Sequence, residues 1–437
     1  MAVMRVGIAE KFIDSPLGMD QTGFLARIGP AEGKHDDLKV KCIVFDDRVT
    51  KLAIILCDLL GLEIKFSNEV KALVGKILEI SSDNVILACT HTHSGPASMP
   101  LGGCGNVDSD WLEKLKPLIA NCAKDAWGNL RESKLSYGTG ECDISYNRVL
   151  QDYAKDYRDP QVGILKIRSN ADKNGDTVFV NYGCHAVTLG AENHLYTRDY
   201  PFYMEEAIKN IMGGSTKVLF ANGCCGDQNP VVRGTFEIAE MLGNRLANSA
   251  VSAMERLSEE DFVDASICVE GFDVDIPLNY KYDRQYFENL LKEYTSTYDE
   301  EKLKNPKGLA LKRHYTFIQW ALDMLDRMDG GVLDKNISVR FVIAKIGKLV
   351  IIPLPFEVFH SIGLRIKKHF GENNTIVMGY ANGNYGYLPS IELYDRADYE
   401  AGNAFRYYGY PGPVVQEAED IICNKLINES VKLSSLD

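Results

Sequence analysis

The chain has 437 residues, 45% hydrophobic and 25% charged, with a formal net charge of −13. That usage is ordinary for a globular protein and excludes whole-chain disorder, collagen-like repeats and coiled coil. The acidic balance argues against nucleic acid or an anionic membrane surface as the main partner. No apolar run approaches the roughly 20 residues that a membrane helix requires, and the start, Met1 to Gly7, lacks the apolar stretch of a secretory signal. Eleven cysteines, an odd number with no Cys-x-x-Cys pair, read as reduced thiols, and a cytoplasmic setting is the expectation.

In chain order, Lys51–Asp58 is an apolar strand, and Ser67 caps a helix running to about Ile80. Asn84–Cys89 is strand-like and runs into Thr90-His91-Thr92-His93. A helix follows at Asp110–Asn129, with strands at Lys134–Thr139, Val162–Ile167 and Thr177–Cys184. Pro201–Ile211 reads as a helix, Lys217–Ala221 as a strand and Phe236–Met254 as a helix. Asp283–Met328 differs: two charged amphipathic patterns, Arg284–Tyr298 and Lys307–Met328, read as a helical insertion. Strands return at Ser338–Ile346 and Leu349–Pro353. A helix starting near Phe356 and another near Val414–Leu433 close the chain. The alternation predicts an α/β fold, mixed β-sheets flanked by helices, with the insertion near 283–328 and no internal boundary across 1–437.

Chemistry-bearing residues concentrate at predicted strand ends. The two-residue spacing of His91 and His93 puts both imidazoles on one face, where they can converge on one ion or form a structural pair. His185 ends a second apolar strand, at the carboxyl end where α/β sheets gather ligands. The strand Leu349–Pro353 breaks at Pro353 and Pro355 and delivers Glu357 to a predicted helix start. There a carboxylate is favoured by the helix dipole whether or not it binds anything. His360, three residues on, reads as packing. The run Gly379–Gly402, with Tyr380, Tyr385, Tyr387, Tyr394 and Tyr399, is too polar and irregular for core and is either a surface loop or part of a site. Cys224-Cys225 reads as two small buried residues.

Taken together, these residues resemble the catalytic domain of the neutral (non-lysosomal) ceramidases. The resemblance runs in order from Gly18-Met19 and Thr22-Gly23-Phe24 through Thr90-His91-Thr92-His93-Ser94-Gly95-Pro96, its most specific block. Asn147-Arg148, Gly183-Cys184-His185, Asn222-Gly223-Cys224-Cys225-Gly226-Asp227 and Phe356-Glu357 follow. Tyr387-Leu388-Pro389-Ser390-Ile391-Glu392-Leu393-Tyr394 and Tyr399-Glu400 complete it.

The resemblance implies a zinc-dependent amidohydrolase that cleaves a linear amide of N-acylsphingosine type with metal-activated water. It implies zinc held by His91, His185, Glu357 and Tyr387, with His93 as proton acceptor and Arg148 and Tyr399 beside the substrate carbonyl. Gly23 would line the cavity. Asn229 stands in Gly226-Asp227-Gln228-Asn229-Pro230 where the family has serine. The chain also ends near Leu433 without the family's additional β-sandwich domain. The expected partner is therefore a small-molecule amide or lipid-like substrate, ceramide or another soluble amide or ester, with no stable membrane span. The sequence leaves the oligomeric state open. A non-catalytic zinc-containing binding module is the alternative expectation.

Overall fold

The computed structural model describes residues 4–151, 157–169, 175–257, 266–281, 283–305 and 308–434. Its frame is two stacked sheets. The larger has eight strands, in spatial order Lys217–Asn222, Thr177–Tyr182, Gln161–Ser169, Arg131–Glu141, Arg5–Phe12, Lys39–Asp46, Lys51–Cys57 and Val85–Cys89. The smaller has four: Ile267–Pro277, Asn336–Ile346, Leu349–Pro353 and Thr375–Met378. Both are mixed. Lys51–Cys57 pairs parallel with Val85–Cys89, Lys217–Asn222 with Thr177–Tyr182, and Leu349–Pro353 with Thr375–Met378; the other pairings within these two sheets are antiparallel. The expected mixed α/β architecture is what forms.

Side-chain alternation explains the stacking. In Lys39–Asp46, Val40, Cys42 and Val44 face helices Ile64–Leu78 and Ser109–Gly128, while Ile43 and Phe45 face the second sheet. In Leu349–Pro353, Ile351 joins that inter-sheet core, and Val350 and Ile352 face His360–Phe370 and Ala418–Ser434. Strands buried on both faces read as continuous apolar runs, as Lys51–Cys57 does. The result is a helix–sheet–sheet–helix stack.

Boundaries move in instructive ways. Ser67 is buried inside its helix, which starts at Ile64 after an extended Glu63 whose side chain makes no capping bond. The helix expected at Asp110–Asn129 runs Ser109–Gly128 and is capped by Asp108, whose Oδ1 accepts from Trp111 N at 2.9 Å. The helix expected near Phe356 starts at His360. Glu357–Val358 instead pairs parallel with Tyr387–Leu388, so Glu357 does not owe its place to a helix dipole.

The insertion forms two helices, Arg284–Lys304 and Leu309–Asp329; Lys307 lies outside the described residues. Its apolar face, Phe287, Phe317, Trp320 and Met324, packs on Phe405 and Tyr407. Trp320 Nε1 donates to Tyr410 O at 2.7 Å and Arg327 Nη1 to Gly409 O at 2.8 Å. The hairpin is thus fastened to the segment 405–410, just beyond the tyrosine-rich run.

Candidate functional site

The site forms where three strand ends meet. Asn222 Nδ2 reaches Thr90 O and Cys184 O, each at 3.2 Å, and so ties together the two edges of the eight-stranded sheet. Gly379 N donates to Asn222 O at 3.2 Å and Cys89 N to Tyr380 O at 3.1 Å, bringing in the smaller sheet. His91, His185 and Glu357 leave these three junctions.

His91 and His93 do converge, their Nε2 atoms 3.2 Å apart. The pleat of a strand is not the reason. The strand ends at Cys89, and His91 takes a left-handed conformation with φ of 63°, uncommon for a non-glycine residue and concentrated at functional sites. His185 likewise sits three residues past its strand, which ends at Tyr182.

Each of these two rings is anchored through Nδ1. His91 Nδ1 lies 2.7 Å from Leu60 O, and His185 Nδ1 lies 2.6 Å from Cys225 O. A carbonyl only accepts, so Nδ1 carries the proton and Nε2 of each neutral ring presents a lone pair. Burial pushes His91 down to about 3 and lowers His185 as well, which keeps both rings neutral. The two Nε2 atoms each lie 3.5 Å from Glu357 Oε2. Despite its burial, Glu357 is held as a carboxylate, at about 2, with the Tyr408 hydroxyl donating to its other oxygen, Oε1.

Three acceptors therefore face one point with no proton among them, and buried Oε2 has no hydrogen-bond partner. A cation resolves this arrangement. Donors bound to one tetrahedral zinc at usual lengths lie about 3.3 Å apart, close to the spacing seen. His91, His93 and His185 form a buried group able to hold a metal ion. An imidazole and carboxylate set suits a first-row divalent metal such as zinc, iron, copper or nickel.

His93 differs from the other two rings. Its Nδ1 is buried without a partner. Its ring is wedged against Phe24 at 4.8 Å between centroids, and its carbonyl accepts from Arg27 Nη1 at 2.7 Å. Burial, with His91, His185, Arg27 and Arg148 around it, lowers its pKa far below the usual range. Gly23 (φ 103°) lies directly behind it: a Cβ there would meet His93 Nδ1 at 2.4 Å.

Arg148 is pinned from several sides. Its Nε donates to buried Glu400 Oε1 at 3.0 Å, its Nη2 to Tyr387 OH at 3.0 Å and its Nη1 to Asn229 Oδ1 at 3.4 Å. Nη1 also lies 3.5 Å from His185 Nε2. Tyr387 is carried beside Glu357 by the Glu357–Tyr387 strand pairing. Tyr399, 45% exposed, stands at the mouth with its ring 5.6 Å from that of Tyr387. All nine residues singled out from the sequence thus fall in one neighbourhood.

Others were given no role by the sequence. Tyr408 donates its hydroxyl to Glu357 Oε1, and Gly386 (φ 95°) lets its ring approach. Tyr380 lies flat on His91 with ring centroids 3.8 Å apart, its hydroxyl 3.0 Å from Cys225 Sγ. Glu400 has its motif neighbour Tyr399 as a signal; Tyr408 lies beyond every motif and has none. His360 packs away from the centre, its Nδ1 2.6 Å from Asp227 Oδ2. The eleven cysteines are all free thiols.

Beside Tyr399 and Gly23 opens a cavity of about 440 Å³, walled by Leu25, Leu101, Tyr407 and the first turns of the second insertion helix. Among the described residues no helix is long and apolar enough to cross a membrane.

With this geometry, the comparison with solved structures is decisive for the fold. Neutral ceramidase from Pseudomonas aeruginosa superposes with a TM-score of 0.73 over 99% of this chain and 75% of its own, at 17% identity. The fold is neutral ceramidase-like. A ceramidase complexed with C2 gives the same score at 16% identity, over 100% of this chain and 76% of its own. No family model matches the sequence. At such identity the ceramidase-like frame is shared while most side chains differ, so the chemistry rests on the site itself.

Proposed function

We propose that this protein is a zinc-dependent hydrolase of the ceramidase type, cleaving an amide bond of an N-acyl substrate. The observation that carries the reading is the meeting of His91 Nε2, His185 Nε2 and Glu357 Oε2, three unprotonated acceptors of which the buried Oε2 has no hydrogen-bond partner. Tyr387 completes the proposed ligand set from the strand paired to Glu357. Zinc held there would supply Lewis-acid chemistry, polarising a carbonyl and lowering the pKa of a water to about 7.

The chain's own groups supply the rest. His93 is neutral and its Nε2 adjoins His91 Nε2, which suits it to accept a proton from the attacking water and return it to the leaving amine. Arg148 needs no reorganisation to meet an oxyanion, because Glu400, Tyr387 and Asn229 already fix its guanidinium. The Tyr399 phenol, half-exposed at the mouth, is a second donor to that oxygen. Gly23 gives His93 and the substrate room, and Asn229 orients Arg148 where a serine stands in the resembling family.

The reading is tested by turnover of a short-chain fluorescent ceramide and a panel of other N-acyl amides, with and without chelator. Hydrolysis of at least one, lost on chelation and restored by zinc, is expected. Undiminished hydrolysis after chelation, or none by zinc-loaded protein across the panel, contradicts it.

A further inference from the structure

The cavity beside Tyr399 combines two features that a site for wholly neutral chains does not require. Leu25, Leu101, Leu309 and Ala310 make its walls apolar, and Tyr407 closes one side. One charged residue, Arg313, joins that lining. Arg313 is solvent-exposed, and among the described residues no carboxylate pairs with its guanidinium and no hydrogen bond engages its side chain, although the chain as a whole carries 61 acidic residues against 48 basic ones.

Other cations gather close by. Lys312 Nζ donates to Arg27 O at 3.2 Å, Arg27 lies with its guanidinium 5.1 Å from the Phe24 ring, and Arg233 faces the same ring at 5.9 Å. Of the acids around these cations, Glu400 is paired with Arg148, Glu192 lies beside Arg27, and Glu293 and Glu301 act on His314, the neighbour of Arg313. Apolar walls focus such a field on whatever enters the cavity. The volume of about 440 Å³ lies in the usual range of small-molecule sites.

We infer that this cavity is a subsite for an anionic amphiphile, taking an apolar limb of the substrate whose far end bears an oxyanion paired by Arg313. The inference rests on the hydrolase reading for the word substrate, and it narrows the substrate class to amides with a negatively charged, partly apolar arm. The insertion hairpin acquires a function from it. By placing Leu309, Ala310 and Arg313 over the ceramidase-like site, the hairpin selects both the girth and the charge of that arm.

Calorimetric titration of the zinc-loaded full chain with 1-octanesulfonate and with 1-octanol tests this without relying on turnover. The sulfonate should bind roughly tenfold more tightly, as one charge-assisted contact allows. Arg313→Gln should erase that advantage, and Ala310→Phe, which fills the cavity, should weaken both probes. Equal binding of the two probes, an advantage that survives Arg313→Gln, or full binding by Ala310→Phe would overturn the inference. The titration is repeated on chelated protein. Sulfonate binding should persist there while amide turnover disappears, so failure of the hydrolase reading and failure of the subsite appear in different measurements.

Discussion

The Tyr408 hydroxyl donates to Glu357 Oε1 and leaves Oε2, the oxygen facing His91 and His185, as the only free acceptor of that carboxylate. One oxygen is held and the other offered. Outer partners of metal ligands fix ligand orientation, and their loss typically costs about 10–100-fold in metal affinity. Tyr408→Phe should therefore weaken zinc binding by about that factor, read by competition with a chromophoric chelator, with the melting temperature of the zinc-saturated protein little changed.

Gly23 makes a separate prediction. Its Cβ would lie 2.4 Å from His93 Nδ1 and 2.6 Å from His93 Cγ, and its φ of 103° is one that L side chains rarely adopt. Gly23→Ala should displace the His93 ring without touching the groups proposed to hold zinc. The expected outcome is near-normal zinc content with kcat reduced about 100-fold or more, the usual range for a proton-transfer group. Zinc content and single-turnover rates, measured on one preparation, check it.

Arg148 should behave as a donor to developing charge. Its neutral replacement Arg148→Gln is expected to cut kcat about 100- to 1000-fold, while KM moves much less. Glu400→Gln, which removes the charge facing Nε while keeping an acceptor there, should produce a smaller loss in the same parameter. Steady-state kinetics on the best N-acyl substrate separate the two.

The buried His360–Asp227 pair yields a stability prediction. Burial alone would lower His360, but Asp227 more than offsets it and raises the histidine above 6.5; His360 likewise holds Asp227 below 3.8 against its burial. A raised histidine contributes its full stability below pH 6.5 and loses it as pH climbs through the folded value. A depressed aspartate contributes fully above pH 3.8 and loses its share as pH falls through the folded one. His360→Gln should therefore cost most between these limits, about 3–5 kcal/mol, and the deficit should shrink under alkaline conditions. Urea unfolding of both proteins from pH 4 to 9 measures it.

Much of the frame was legible because buried strands are short apolar runs. Lys51–Cys57, Val85–Cys89 and Leu349–Pro353 announce themselves in this way, and the insertion does so through its charged amphipathic helices. Arg5–Phe12 and Lys39–Asp46 carry no such run, their lysines and glutamate breaking the apolar pattern; buried Lys41 is tolerated because Glu205, 164 positions away, pairs with it and Val218 O accepts a second bond at 3.0 Å. The histidines and Glu357 were legible as residues beyond strand ends. The reasons they meet were not: a left-handed backbone at His91, a two-residue strand at Glu357 and the Asn222 bridge are products of tertiary contact. Tyr408 could not be foreseen, since its partner lies 51 residues away and no motif joins them.

The most direct test of the account is anomalous diffraction at the zinc edge from crystals of the purified protein. The account predicts one peak, enclosed by His91 Nε2, His185 Nε2 and Glu357 Oε2, that disappears in His185→Ala while the fold remains. A zinc-supplied crystal with those three atoms in place and no peak between them would contradict it.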